Sequence, residues 1–352
     1  MIRHEKDLSV FMQSGIFAKI NLPGCFKKII FIRGKKMGID LKYLLFLQGI
    51  RVSTGGAFDE FFNALSKVAV DILPFLPFII FWRVNKKWGY RFLFTNYCAD
   101  LLNGLVKLTV CAYRPWIRSD LIEPAGDSKV AATGYSFPSG HTVLATANYG
   151  TVIVAQKNKR KWLAILCGVL LFLTALSRNF LGVHTPQDVL VGFLESCLVI
   201  WIVGKVQENI SGKEKLQDGL TLAGLFSVAV FILYVTKKPY PMDYVDGKLL
   251  VDPQVMMNDM FKACGAVTGL LIGSYFDRHY IHYEVPQGSA NLPLLTWIGF
   301  AIIFAWKTLF SPSMVVAPLG GHWGNFVARF IMVLFAMTVW PVVIRKECGA
   351  GK

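Results

Sequence analysis

Several stretches of the chain run for fifteen or more residues without a charged side chain, among them 141–156, 162–177, 220–236, 292–306 and 330–344. A soluble chain of 352 residues cannot bury all of these stretches at once. Charged residues make up only 17% of the sequence, against about 25% in an ordinary soluble domain. The sequence therefore predicts an all-α, polytopic helical membrane protein and excludes a soluble or a disordered one.

Nine candidate membrane spans can be placed along the chain. They lie at 61–82, 89–111, 141–157, 162–180, 188–206, 219–236, 258–276, 292–310 and 323–344. Pro74 and Pro77 should kink the first span or break its hydrogen-bond ladder. This pattern predicts three regions: an N-terminal extension with an amphipathic helix (1–57), a core of five spans (58–206) and a C-terminal region of about four spans (207–352).

The distribution of basic residues predicts how the protein is oriented. The net charge of +15 comes without a nucleic-acid-binding motif, so no nucleic-acid partner is expected. One set of alternate loops together with the C-terminal tail carries 15 Lys and Arg, against 6 on the opposite side when residues 1–60 and the two arginines Arg114 and Arg178 are set aside. The positive-inside rule places the first set in the cytoplasm. Loops 112–140 and 181–187 are then on the non-cytoplasmic face of an integral membrane protein, which we expect in the cell membrane.

The first 60 residues conflict with this orientation, because they carry ten Lys and Arg on the side assigned as non-cytoplasmic. Eight of these ten precede Met37. Residues 37–52 are amphipathic and resemble an interfacial helix that leads into the first span. Two interpretations stay open: translation starts at Met37, or residues 1–36 form an extension without a cleavable signal-peptide pattern.

Three short polar segments are unusual for membrane spans, and all fall within residues 107–188. They are Lys107-x6-Arg114-Pro115, then Tyr135-Ser-Phe-Pro-Ser-Gly-His141, and Ser177-Arg178-x5-His184-x3-Asp188. The orientation above brings all three to one face of the membrane.

The seven cysteines show no metal-ligand spacing, and we expect neither a metal nor a cofactor.

Two predicted helix N-termini in these segments favour an anion. Pro138 and Gly140 flank Ser139 just before an uncharged run, and Thr185-Pro186 has the chemistry of an N-cap followed by proline at the first helical position. Free backbone N–H groups and the helix dipole attract negative charge at such ends. The cations Lys107, Arg114 and Arg178 accompany them, and the planar fork of arginine matches a pair of phosphoryl oxygens.

Two histidines complete the pattern. Asp188 follows His184 by four residues at the start of a predicted helix, within reach of its imidazole. A carboxylate in that position fixes the tautomer and makes the other ring nitrogen more nucleophilic. With His141 as a second histidine, these residues supply what phosphoryl transfer through a phosphohistidine needs.

The three segments resemble the signature of the type-2 phosphatidate phosphatase superfamily, which includes glucose-6-phosphatase and the vanadium haloperoxidases. Every specified position of K-x6-RP, PSGH and SR-x5-H-x3-D is filled at the family's spacing. The resemblance covers about residues 58–206. Nine spans with a non-cytoplasmic N-terminus are more similar to the glucose-6-phosphatase layout than to the six-span lipid phosphatases.

The resemblance implies a role for each motif residue. His184 is the expected nucleophile, Asp188 orients it, and His141 protonates the leaving oxygen and then activates water. The expected ligands of the phosphoryl oxygens are Lys107, Arg114, Ser139, Arg178 and the backbone N–H of Gly140.

Several alternatives remain at this point. The family's site serves lipid phosphates, polyprenyl diphosphates, sphingoid phosphates and sugar phosphates, with water or an acceptor hydroxyl taking the phosphoryl group. We favour a phosphatase acting on a lipid-borne phosphate, over a lipid phosphotransferase, a sugar-phosphate phosphatase or a transporter. For Asp100 we favour charge neutralisation within its span over a role in positioning Lys107, and we expect Lys67 and Asp71 to form an intrahelical pair.

Overall fold

The computed structural model describes residues 38–132, 134–245 and 247–349. The interpretations of residues 1–36 lie outside this part of the chain. The described residues are helical apart from loops and one two-residue β-hairpin, as the hydrophobic pattern predicts. The main helices are α1 Ile39–Ser53, α2 Asp59–Asp71, α3 Lys86–Val110, α4 Gly140–Ala145, α5 Thr151–Gln156, α6 Lys161–Phe180, α7 Pro186–Ile210, α8 Glu214–Lys237, α9 Pro253–Phe276, α10 Leu292–Ala305, α11 Gly321–Met337 and α12 Val339–Glu347, with the hairpin formed by β1 Tyr244–Val245 and β2 Lys248–Leu249.

Shorter helical pieces connect or extend these helices. They are Leu73–Phe75, Leu76–Ile79 and Ile80–Val84 after α2, Pro115–Arg118 and Ser128–Ala131 in the loop after α3, Thr146–Gly150 between α4 and α5, Asp277–Ile281 after α9, and Trp306–Phe310, Pro312–Val316 and Ala317–Leu319 after α10. The break in the first span falls at the predicted place. Helix α2 ends at Asp71, and the two pieces that follow have Pro74 and Pro77 in their first turns.

Seven helical segments of the described chain are long and apolar enough to cross a membrane, judged by length and composition. Each coincides with a predicted span. The other two predicted spans are also helical, but α3 carries five charged residues, and the run from Gly140 to Gln156 has only 17 residues. The chain is thus a helical membrane protein, while the count of nine crossings stays a prediction.

Helix α1 packs against the loop that follows α3. Asp40 forms an ion pair with Arg118 at 2.8 Å, and Gln48 both donates to the carbonyl of Leu121 and accepts from the amide of Glu123. The helix that the amphipathic pattern predicts is therefore present and is held to a loop between two motifs. Its position at a membrane interface stays a prediction.

Helices α9 and α11 pack closely because one face of α9 carries glycine at every fourth position. A Cβ atom added to Gly265 would lie 2.1 Å from the carbonyl oxygen of Phe326, and one added to Gly269 would lie 2.8 Å from that of Phe330. Small residues at this spacing allow two membrane helices to approach at their backbones. Helix α3 packs on α9 as well, so the C-terminal helices lie directly beside a helix that carries motif residues.

Candidate active site

Lys107 lies in the last turn of α3 and reaches across to the loop that contains the second motif. Its Nζ donates to the carbonyl of Pro138 at 2.6 Å. The helix ends just beyond it, where Cys111 adopts a left-handed backbone conformation with a φ of 54°. This turn directs the chain toward Arg114, which has an extended backbone conformation. Pro115 follows it as the first residue of the next helical turn.

Arg114 connects the first motif to the third. Its Nε donates to the carbonyl of Gly134 at 3.1 Å, and its Nη1 donates to the carbonyl of Val183 at 2.9 Å. The same Nη1 lies 2.8 Å from Nε2 of His184. A guanidinium has only donors, so Nε2 accepts and the proton of the neutral imidazole is on Nδ1. Burial lowers the pKa of Arg114 to about 10, and Asp188 opposes that change, so Arg114 remains a cation at neutral pH.

The carboxylate of Asp188 faces the protonated side of the His184 ring. Nδ1 of His184 is 3.4 Å from Oδ2 of Asp188, which is longer than a well-formed hydrogen bond. The same oxygen accepts from Oγ of Ser136 at 2.5 Å and from the amide of Thr185 at 2.8 Å. Oγ1 of Thr185 accepts from the Asp188 amide at 3.3 Å, which completes a capping box. Asp188 is thus fixed by the helix cap that the sequence predicts.

Two charges around His184 act in opposite directions on its protonation. Burial and the positive charge of Arg114 hold the pKa of His184 well below its ordinary value near 6.5, while Asp188 opposes both effects. Only the neutral imidazole has a free lone pair on Nε2. The surroundings therefore keep His184 neutral at neutral pH, which is the form that its predicted role as a nucleophile needs.

Helix α4 begins at the second motif and points its N-terminus at the same region. Its first backbone hydrogen bond runs from the amide of Val143 to the carbonyl of Ser139 at 3.0 Å. The amides of Gly140, His141 and Thr142 precede that bond and are the ones that a helix N-terminus offers to an anion. A Cβ atom at Gly140 would meet Oδ1 of Asn103 at 3.3 Å, so glycine suits this tight approach to α3.

Five of the predicted site residues line one cavity of about 320 Å³: Lys107, Arg114, Gly140, His141 and His184. We call these five residues the anion site. Lys107 and Arg114 are only 7% and 6% exposed, and a buried cation is costly unless a negative group compensates it. The cavity thus offers two buried cations, a helix N-terminus and an uncharged imidazole nitrogen to one occupant.

Three further predicted residues lie outside the wall of this cavity. Asp188 is behind His184, as a positioning role requires. Ser139 is fully buried, with its amide bonded to the carbonyl of Asp188 at 2.9 Å and its Oγ accepting from Thr142. Arg178 is 4% exposed and donates to Oγ of Ser66. The geometry therefore gives Ser139 and Arg178 a supporting position, and direct contact with an anion stays a prediction for both.

The comparison with protein families identifies the region that carries this geometry. The model of the PAP2 superfamily matches residues 88–211, which include all three motifs. Residues 88–211 are a PAP2 superfamily segment. The resemblance seen in the motifs is thereby confirmed, and the helices from α8 onward lie outside the matched PAP2 segment.

Curated relatives share parts of their sequence with this chain. An undecaprenyl-diphosphatase of Sulfolobus acidocaldarius is 26% identical over 122 residues, covering 35% of this chain and 56% of the relative. Phosphatidylglycerophosphatase B of Bacillus subtilis is 29% identical over 151 residues, covering 40% and 69%. Lipid phosphate phosphatase delta of Arabidopsis thaliana is 24% identical over 278 residues, covering 72% and 61%. No solved structure matches the chain.

Sequence reasoning missed several residues that hold the PAP2 site together. Ser136 binds Asp188, the Nδ2 of Asn179 donates to the carbonyl of His184 at 2.9 Å, and the Nδ2 of Asn103 lies 3.4 Å from the carbonyl of Pro138. Ser136 and Asn179 each lie within one of the three polar segments, and this was the available signal. Asn103 lies one turn before Lys107 on α3, where helical spacing places it on the same face.

Two expectations about charges within spans have different outcomes. Lys67 and Asp71 do not form the expected pair, since no ion pair joins them among the described residues. Asp71 instead lies 3.5 Å from Nζ of Lys307. Asp100 lines the same cavity as Lys107 and Arg329. Asp71 is therefore paired with a residue of the C-terminal region and Asp100 shares a cavity with one, which the spacing within one helix does not reveal.

Proposed function

We propose that the protein is a membrane-embedded phosphatase that hydrolyses a phosphate monoester or diphosphate, with a lipid-borne phosphate as the preferred substrate. The observation that carries the proposal is the 2.8 Å contact between Nη1 of Arg114 and Nε2 of His184 inside the cavity. A phosphoryl group bonded to Nε2 has its oxygens next to that guanidinium and near Lys107. The relatives, whose names describe diphosphate and phosphate hydrolysis, support the same reaction class.

In the first half of the reaction, Nε2 of His184 attacks phosphorus and the phosphorus–oxygen bond to the leaving group breaks. The leaving oxygen takes a proton from His141. Arg114 exchanges its hydrogen bond with Nε2 for one with a phosphoryl oxygen as the new nitrogen–phosphorus bond forms. Asp188 stabilises the positive charge that develops on the imidazole, since its carboxylate faces Nδ1.

In the second half, water attacks the phosphohistidine. His141, now neutral, accepts a proton from that water, the nitrogen–phosphorus bond breaks, and inorganic phosphate leaves with His184 restored. The negative charge on phosphorus is neutralised by Lys107 and Arg114, with Arg178 behind them, so the proposed mechanism uses no metal ion. A phosphotransferase would differ only in the acceptor, with a lipid hydroxyl in place of water.

The membrane environment supports a lipid substrate. The cavity lies among apolar helices and is lined in part by Val70, Phe75 and Met256, so a membrane-anchored substrate can approach without leaving the bilayer. By the positive-inside rule we place the site on the non-cytoplasmic face of the cell membrane.

The test is phosphate release by the purified full-length protein in detergent. We expect wild type to release inorganic phosphate from phosphatidate or a polyprenyl diphosphate, and His184→Ala to release none above background. Turnover of soluble sugar phosphates without turnover of any lipid phosphate would overturn the lipid assignment. Absence of turnover on every phosphate ester would overturn the phosphatase assignment itself.

A further inference from the structure

The cavity that contains the anion site is larger than the space that a phosphate would fill. Its volume of about 320 Å³ corresponds to roughly ten water molecules at ~30 Å³ each. Asn96 and Asp100 line it from α3, eleven and seven residues before Lys107. At 1.5 Å per residue, they lie ~16 Å and ~10 Å further along the helix axis. The cavity therefore extends along α3, away from the anion site.

The C-terminal helices supply much of the wall in this part of the cavity. Asp259 and Lys262 come from α9, where their side chains are 53% and 38% exposed, and the half-buried Arg329 comes from α11. All three lie outside residues 88–211, which the family model matches. We call Asn96, Asp100, Asp259, Lys262 and Arg329 together the inner subsite.

Two members of the inner subsite have hydrogen-bonding capacity that the described protein does not use. Asn96 is 1% exposed, and its Nδ2 has no acceptor among the described residues. Arg329 contacts Sδ of Met332 at 3.8 Å, and no carboxylate of the described chain lies within 4 Å of it. A buried amide without an acceptor is costly, and so is a charge within a membrane helix that no carboxylate pairs. The buried Asn96 amide and the half-buried Arg329 guanidinium therefore favour a polar occupant.

The remaining groups determine which polar occupant fits. Lys262 is paired with Asp259 at 2.9 Å, and Lys307, also on the cavity wall, is paired with Asp71 at 3.5 Å. What remains beside Asn96 on the cavity wall is one guanidinium, Arg329, and one carboxylate, Asp100. A second phosphate would meet the Asp100 carboxylate here. A hydroxyl both donates and accepts, so it matches a wall that offers amide and guanidinium donors beside carboxylate acceptors.

We propose that the inner subsite binds a hydroxyl-bearing alcohol that carries the scissile phosphate, and that Asn96, Asp100 and Arg329 determine this specificity. The inference rests on the proposed function, since it names the leaving group of that reaction. The alcohol is a polyhydroxylated lipid headgroup or a free polyol or sugar, which share the same hydroxyl chemistry. The C-terminal helices thereby complete a substrate pocket that the PAP2 segment begins.

The test compares two matched substrate pairs on the purified full-length protein. One pair is soluble, a hexose 6-phosphate against n-hexyl phosphate. The other is lipid-borne, phosphatidylglycerol phosphate against phosphatidate, whose diacylglycerol lacks free hydroxyls. We expect kcat/KM to be at least tenfold higher for the hydroxyl-bearing member of one pair, and the pair that shows the preference identifies the source of the alcohol. A preference within the soluble pair without turnover of either lipid would support the inner subsite and overturn the lipid-borne substrate of the proposed function.

Variants locate that preference in the inner subsite. Asp100→Asn and Arg329→Gln should lower kcat/KM at least tenfold for the hydroxyl-bearing member and less than threefold for its partner. Asp100→Asn keeps the shape of the side chain, so it tests the proposal with the least risk to folding. The matched control is Arg91→Gln, which removes a charge at the other end of α3, where Arg91 lies 3.9 Å from Glu208. This control should behave as wild type.

Each of the other possible results would contradict one specific claim. Equal kcat/KM within both pairs of the wild type would overturn the inner subsite while leaving the phosphatase assignment intact. An equal loss on both members of a pair in Asp100→Asn and Arg329→Gln would assign these residues a structural role and overturn the specificity claim. No turnover of any of the four substrates would overturn the proposed function instead.

Discussion

Nη1 of Arg114 donates to Nε2 of His184 across 2.8 Å, while Oδ2 of Asp188 lies 3.4 Å from the other nitrogen of the same ring. The imidazole thus lies between a guanidinium on its nucleophilic side and a carboxylate on its protonated side. This arrangement fixes the tautomer. It also makes the protonation of His184 depend on two charges of opposite sign.

The pH profile should report these two charges. Neutral His184 is the active form, and its lowered pKa means that kcat/KM survives as pH falls through 6.5 and is lost only further below. Arg114→Gln removes a positive charge, which raises the pKa and moves the acid limb to higher pH. Asp188→Asn removes a negative charge, so the limb moves to lower pH while kcat falls ~10²-fold or more. Ionisation of the substrate affects wild type and both variants equally, so it does not produce a difference between their pH profiles. Shifts of both variants in the same direction would contradict the account.

Vanadate and chelators should separate this chemistry from metal-assisted hydrolysis. Vanadate in a trigonal-bipyramidal form bonded to the histidine nitrogen resembles the transition state, so it should inhibit competitively. Inhibition should weaken in Arg114→Gln, which loses donors to the equatorial oxygens, and should persist in the control Arg91→Gln. Activity should be unchanged by EDTA. An EDTA-treated sample that is inactive and recovers with Mg²⁺ would show that the mechanism is wrong.

The orientation can be tested by labelling single introduced cysteines in intact cells. Leu121 is 59% exposed in the loop between the first two motifs, and Lys205 is 60% exposed near the other end of α7. A membrane-impermeant maleimide should label Leu121→Cys above the level of the parent protein, and it should label Lys205→Cys only after the membrane is permeabilised. The reverse pattern would place the active site in the cytoplasm.

The packing of α9 on α11 should govern the stability of the C-terminal region. Gly265→Ala places a Cβ atom 2.1 Å from the Phe326 carbonyl oxygen, so the two helices must separate. Overpacking of this kind costs about 1–3 kcal/mol, and the apparent melting temperature in detergent should fall by several degrees. The matched control is Gly168→Ala on α6, where nothing lies within 4 Å of the added atom. Equal melting temperatures for the two variants would contradict the close packing.

Much of the fold follows from the sequence because a membrane restricts it strongly. Uncharged runs predict where helices form, and Pro74 and Pro77 predict where the first span breaks. The N-cap at Thr185 was also predictable, since threonine before proline is a local signal. These features depend on residues close together in sequence, and pattern reasoning handles such features well.

The parts that sequence reasoning missed depend on contacts between distant residues. Ser136 bonds to Asp188 across 52 positions, and Asp71 interacts with Lys307 rather than with Lys67 four residues away. Arg329 lies in a region without recognised motifs, so no spacing rule connects it to Asp100. Such pairings come from helix packing, for which one sequence offers no periodic signal.

The most direct test of the mechanism is the phosphoenzyme itself. Wild type, His184→Ala and His141→Ala are mixed with ³²P-labelled p-nitrophenyl phosphate, whose leaving group needs no protonation, and are quenched in alkali, where phosphohistidine survives. His279→Ala, which alters a histidine paired with Asp218 outside the site, is the control. We expect label on wild type and on the control, and none on His184→Ala. His141→Ala should accumulate more label than wild type, because loss of the general base slows hydrolysis by about 10²–10⁴. Labelling of His184→Ala at the wild-type level would contradict the assignment of His184 as the nucleophile.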